Sequence, residues 1–232
     1  GQGTAMEITT ALPVSQDVAA SNLDSPTFLI PTLDLFTGVS STIAGSMTTS
    51  VAVPVGGKVV IEVLKSDVAA AAKDGFSAIV APVVAGNDEA SFISPAMVTS
   101  TAEKYTVTLT TKAAGLSAKL YSFTLNGFTT RRTVGGSGAI ASFKTTNAAG
   151  SPIQIAQTLP ASQPVAAAGF TATAPIFKIP DAGLFAGMLT TIDISVTPSV
   201  EVPSGGKVVI EVLKSNVADV ATEGFSSIPA GG

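Results

Sequence analysis

Apolar and polar positions alternate with a period of two over several stretches of the chain. Tyr105–Thr111 sets Tyr105, Val107 and Leu109 against Thr106, Thr108 and Thr110, the pattern of a strand with one face on a core. Tyr121–Leu125 does the same with Tyr121, Phe123 and Leu125, then meets Asn126-Gly127, which predicts a tight turn. Lys58–Leu64 puts Val59, Ile61 and Val63 on one face, with Lys58 and Glu62 on the other. Thr191–Val196 and Ile153–Ala156 alternate as well, and Gly56-Gly57, Gly135–Gly138 and Asn147–Pro152 are expected as turns. Two short helices are predicted, over 67–74 and 216–223. Each has a Ser cap (Ser66, Ser215) and a closing glycine (Gly75, Gly224).

The same pattern occurs twice. Val53–Ile79 (VPVGGKVVIEVLKSDVAAAAKDGFSAI) and Val202–Ile228 (VPSGGKVVIEVLKSNVADVATEGFSSI) agree at 20 of 27 positions at an offset of 149. Upstream, Pro26, Phe28, Ile30-Pro31, Phe36 and Gly38 recur at the same offset as Pro175, Phe177, Ile179-Pro180, Phe185 and Gly187. At an offset of 147, Leu12-Pro13 and Ser15-Gln16 recur as Leu159-Pro160 and Ser162-Gln163. The segment Val80–Ser151 occurs once. The chain of 232 residues therefore divides into an extension over 1–20, a full unit over 21–167 and a partial repeat over 168–232.

Composition narrows the class. Only 12% of residues are charged, against roughly 25% in average soluble proteins. Ser and Thr together number 52, Trp is absent and Tyr appears twice. β-Branched and short polar residues at low charge suit stacked antiparallel strands, so the expected class is all-β, one complete sandwich and one partial one in tandem. With 46% apolar residues the chain has enough to build a core. No apolar run reaches the roughly 18 residues of a membrane helix. A net charge of −4 without a basic cluster gives no footprint for nucleic acid. The absence of His and Cys removes His-based catalysis, Cys/His zinc sites and disulfides.

The remaining motifs for chemistry fail on their own terms. Ser204-Gly205-Gly206-Lys207 has the spacing of a serine–lysine pair, but the first copy carries Val55 in place of the serine. Gly56-Gly57-Lys58 is followed by Val59 rather than Ser or Thr, so it reads as a turn and not as a phosphate loop. Gly136–Ala141 opens a strand rather than a helix and is read as a hairpin. Glu62 recurs as Glu211, beside lysines on a solvated strand face. Gly86-Asn87-Asp88-Glu89 lacks the register of a calcium loop, and Arg131-Arg132 reads as a salt-bridging turn. No cofactor, metal or catalytic residue is expected.

The repeated VPxGGKVVIEVLKS unit, the Thr-rich alternating strands and the missing cysteines resemble the tandem immunoglobulin-like repeats of microbial surface adhesins. They also resemble subunits of donor-strand-linked, often glycosylated extracellular fibrils. The expectation that follows is a structural, non-enzymatic subunit of an extracellular fibre or surface layer whose partners are copies of itself. Met6–Ala20 resembles Ile153–Ala167, the segment that closes the full unit. It is expected to act as a donated strand through Met6, Ile8, Leu12, Val14 and Val18. Exposed hydroxyls at Thr48, Thr49, Ser50, Thr197 and Ser199 are the candidate O-glycan sites. The alternative is a carbohydrate-binding or adhesive module of a longer repeat surface protein.

Overall fold

The protein is described by a computed structural model covering residues 18–66, 74–170, 175–181, 189–200, 202, 206–213, 215 and 224–225. In chain order the strands are β1 (Ser21–Asn22), β2 (Asp24–Leu29), β3 (Ser40–Thr48), β4 (Lys58–Leu64), β5 (Phe76–Ile79), β6 (Val84–Ala85), β7 (Met97–Ser100) and β8 (Lys104–Thr110). There follow β9 (Leu120–Thr130), β10 (Gly135–Ser137), β11 (Ile140–Thr146), β12 (Pro152–Ile155), β13 (Gln163–Val165), β14 (Ile176–Lys178) and β15 (Asp193–Ser195). Short 3-10 segments lie at Thr32–Asp34 and Glu89–Ser91, and there is no α-helix among the described residues. The chain is all-β. Of the expected helices, 67–73 and 216–223 lie outside the described residues.

One sheet runs β1-β12-β11-β4-β8-β7, and the other runs β2-β3-β9-β5 with β6 also on β9. A single core drawn from both, Leu23 to Ala156, joins them in a sandwich-like arrangement. Alternation holds best where a strand has a neighbour on each side. On β4, Val59, Ile61 and Val63 are fully buried between β8 and β11. On β8, Val107 and Leu109 are buried as expected, but Thr108 is buried too, which mutes the pattern. The second sheet contributes a cluster of three edge-to-face phenylalanines. Phe28, Phe76 and Phe128 lie with ring centroids 5.1 to 6.3 Å apart.

Three expectations need correction. Asn126-Gly127 is not a turn, because β9 runs straight through it. Thr42 of β3 faces both residues, since the register steps from Ile43↔Leu125 to Ser41↔Phe128. The result is a bulge with Gly127 at φ +78°. It restores the phase, so that Leu125 and Phe128, three residues apart, both face the core. Gly135–Gly138 is not a hairpin turn either. Its first three residues form β10, which pairs with β13, while β11 pairs elsewhere. Finally, the sheets are not wholly antiparallel, because β1 and β12 run parallel (Ser21↔Gln154, Asn22↔Ile155). These strands lie more than 130 residues apart in sequence, and no short connection forces them antiparallel.

Candidate assembly surface

The segment Ile153–Ala167 returns to the start of the unit and fastens onto it mostly through backbone groups. The Leu23 N–H donates to the Ile155 carbonyl at 3.1 Å. Gln154, fully buried, donates from Nε2 to Asn22 O at 3.1 Å and to Ser50 Oγ at 2.8 Å. The Gln163 amide then behaves as a surrogate peptide group. Its Oε1 accepts from the Ile30 N–H at 2.6 Å and its Nε2 donates to the Ile30 carbonyl at 3.1 Å. Ala166 bridges the 35–37 stretch, donating to Leu35 O and accepting from Thr37 N–H, both at 2.9 Å. Ser162 Oγ donates to Asp74 Oδ2 at 3.1 Å, and Val165 is 2% exposed. Strands β10 and β11 from the once-only segment complete the seat.

The second copy repeats the local structure of the first but not its burial. β14 and β15 pair as Ile176↔Ser195, Phe177↔Ile194 and Lys178↔Asp193. Subtracting 149 gives Thr27↔Ser46, Phe28↔Gly45 and Leu29↔Ala44, which is the register of β2 on β3. Phe177 and Phe225 stack edge to face at 6.0 Å as Phe28 and Phe76 do at 6.3 Å. The Ser215 N–H donates to Phe225 O as the Ser66 N–H does to Phe76 O. Phe128, the third ring of the first cluster, lies in the once-only segment. Phe177 is 43% exposed where Phe28 is 1% exposed. Val208 and Ile210 are about half exposed where Val59 and Ile61 are fully buried.

The expected donor residues fall on both sides of the described boundary. Met6, Ile8, Leu12 and Val14 lie outside the described residues. Val18 is 96% exposed, although its counterpart Val165 is buried. The counterpart of Val14 is Ala161, which faces solvent, so on the first unit this position makes no apolar contact. Sequence reasoning singled out the apolar side chains and passed over Ser15 and Gln16. Their recurrence as Ser162 and Gln163 was the available signal.

Of the candidate glycan positions, Ser50, Thr197 and Ser199 are exposed and Thr48 is half-buried. Thr49 departs from the expected exposure. It continues the inward face of β3 after Met47, is 2% exposed, and donates its hydroxyl to Ser117 O at 2.7 Å.

The charged groups act as ties between strands and loops. Glu62 pairs with Lys104 of the neighbouring β8 at 2.6 Å. Arg131, 5% exposed, pairs with Asp74 at 3.3 Å and donates to Gly136 O and Thr133 Oγ1. Asp88 accepts from the Ser122 N–H at 2.8 Å and from Lys119 Nζ at 3.0 Å. The backbone bond holds its carboxyl below the usual range, burial opposes it, and the lysine adds to the lowering. In return, the hydrogen bond to Asp88 raises Lys119. Burial pushes the Tyr105 phenol up, and its hydroxyl donates to Ser77 O at 3.0 Å. Gly57 closes a turn onto Pro54 O, as expected for Gly56-Gly57-Lys58, and Ser204 lies outside the described residues.

A hollow of about 260 Å³ between Phe36, Val39, Ala168, Gly169, Ser199 and Val200 contains no titratable side chain. Among the described residues no three acidic groups converge as metal ligands, and no helix is long and apolar enough to cross a membrane. No protein-family model, curated protein or solved structure matches the chain.

Proposed function

We propose that the protein is a structural subunit of an extracellular fibre or surface layer, built from immunoglobulin-like units in tandem. It assembles head to tail by β-strand exchange between copies. One observation carries this reading. The second copy keeps the strand register and ring pairing of the first, yet its apolar side chains stand open, as does Val18, whose counterpart closes the first unit. Val18 and the apolar face of the second copy thus both face solvent on one molecule. Burying Val18 as its counterpart Val165 is buried gains roughly 1.5–3 kcal/mol, and strand addition supplies main-chain bonds. A head-to-tail contact of this kind propagates into an open filament.

Among the exposed candidates Thr197 is the position where an O-linked glycan fits this reading, since Ser50 Oγ accepts from Gln154 and Ser199 Oγ donates to Gly169 O. The carbohydrate-binding alternative has less support. Both tyrosine hydroxyls are engaged internally, Tyr121 with Ser117 and Tyr105 with Ser77, and a lysine ammonium sits over each ring.

The test is electron microscopy of the full chain beside a variant lacking residues 1–20. Filaments that disappear with the deletion support the proposal. Compact monomers in both samples refute it.

A further inference from the structure

We infer that the first unit carries tension along the chain, with its closing segment and residues 21–37 forming a clamp that is loaded in shear. The inference rests on the assembly reading above for the source of that tension. A head-to-tail filament pulls each copy between the residues before Ser21 and those after Ala166.

The geometry is that of one long parallel run. Ser21 and Asn22 pair with Gln154 and Ile155, both strands pointing the same way. Ser21 and Gln154 are 133 residues apart, and so are Ile30 and Gln163, whose amide makes two bonds to the Ile30 main chain. The two segments thus keep one register at both ends of β2. The run closes at Phe36 and Ala166, which are again parallel, and the Ala168 N–H donates to Thr37 Oγ1 at 3.1 Å.

Entry and exit therefore sit at opposite ends of the sandwich, with β3 between them. Ser50, just past the end of β3, accepts from Gln154 beside Asn22, whereas Thr37, just before its start, is bonded to Ala166. The nine residues of β3 span about 30 Å.

Direction then decides strength. Hydrogen bonds between strands run across them, so a pull along the strands strains every bond together. A pull at one end breaks the same bonds in turn. The bonds on this line are Leu23 N–H to Ile155 O, Gln154 Nε2 to Asn22 O, the two between Gln163 and Ile30, and the two at Ala166. Neither segment slips free alone. β12 is held on its other side by β11, and β13 by β10 from Gly135↔Val165 to Ser137↔Gln163. β2 is held in turn by β3.

Optical tweezers on the full chain test this. The native sequence has no cysteine, so two introduced thiols define the direction of pull. Val18→Cys with Ala167→Cys loads the clamp lengthwise. Val18→Cys with Ser151→Cys pulls both segments at the entry end, opening them from Ser21↔Gln154. All three positions are exposed. The lengthwise pair is expected to withstand a severalfold greater force than the end pair. Gln163→Ala is then added to each. Lengthwise, losing two hydrogen bonds should speed rupture about tenfold at a fixed force. From the end, the rate should not change, because Ser21↔Gln154 opens first.

Equal forces in the two directions overturn the clamp and leave the fibre reading in place. Acceleration by Gln163→Ala in both directions removes Gln163 from the clamp and assigns it to general stability. The comparison of directions needs no alanine variant, so it stands even if that variant fails to fold. Unequal forces in a chain that never forms filaments uphold the clamp and overturn only the filament as its source of load.

Discussion

Gly127 shows what a single residue has to do for β9 to serve the core. Its φ of +78° is left-handed, and a Cβ there would fall on the Val80 carbonyl oxygen. Gly127→Ala is therefore expected to cost about 2 kcal/mol or more in urea unfolding. Gly150, also left-handed at φ +94°, has nothing within 4 Å of its Cβ position, so Gly150→Ala should cost less, about 1 kcal/mol. Equal losses would show that the clash adds nothing beyond the backbone conformation. Asn126-Gly127 announced a positive φ in the sequence. A turn and a bulge both need one, and only the partner strand decides between them.

Asp88 supplies a second test at this scale. Its carboxyl is held below the ordinary value by the Ser122 N–H and then Lys119. Its folded pKa thus lies below its unfolded one. The stability it contributes is present above the unfolded value, near 4, and disappears as pH falls through the folded value. Asp88→Ala should lose about 1–2 kcal/mol at pH 7, with the gap to the parent closing in acid urea titrations below about pH 4. A gap independent of pH would assign the loss to packing rather than to the ionised carboxylate. Only the loop location was legible here. The Ser122 amide and Lys119 lie 34 and 31 residues away in sequence, and no local pattern links them to Asp88.

At the scale of elements, one sequence has two outcomes. Lys58–Leu64 and Lys207–Leu213 are both KVVIEVL. The first is a central strand with Val59, Ile61 and Val63 buried. The second forms no ladder among the described residues, and its Val208 and Ile210 are about half exposed. Alternation identified the face that wants burial, and this held for β4, β8 and β9, whereas on β12 the buried residue is Gln154 rather than Ile153 or Ile155, and β15 is exposed throughout. The pattern cannot supply the neighbours, and here those are β8 and β11 of the once-only segment. The same contrast predicts paired substitutions. Phe28→Ala removes a ring that touches Phe76 and Phe128 and should cost about 3–5 kcal/mol. Phe177→Ala, at a half-open site, should cost less than about 1 kcal/mol in dilute protein. Similar losses from both would mean that the second phenylalanine is buried in solution by something the described residues do not include.

For the whole molecule, the two copies imply a gradient of stability along one chain, and hydrogen exchange can read it. Amides of Val59, Ile61 and Val63 sit in a paired, fully buried strand and should exchange only through unfolding of the entire first unit. Amides of 207–213 have no ladder partners among the described residues and should exchange orders of magnitude faster in dilute solution. Assembly by strand exchange makes a further demand. Protection around Ile176–Lys178 and Asp193–Ser195 should rise with protein concentration, because the donated segment covers the half-unit that carries them. The first unit, already closed by its own Ile153–Ala167, should show no such dependence. A chain lacking residues 1–20 should keep the slow exchange of the first unit and lose the concentration dependence of the second. If protection of the second half-unit were instead high at every concentration and untouched by the deletion, its apolar face would be covered within the chain. Strand exchange between copies would then have no open site to act on.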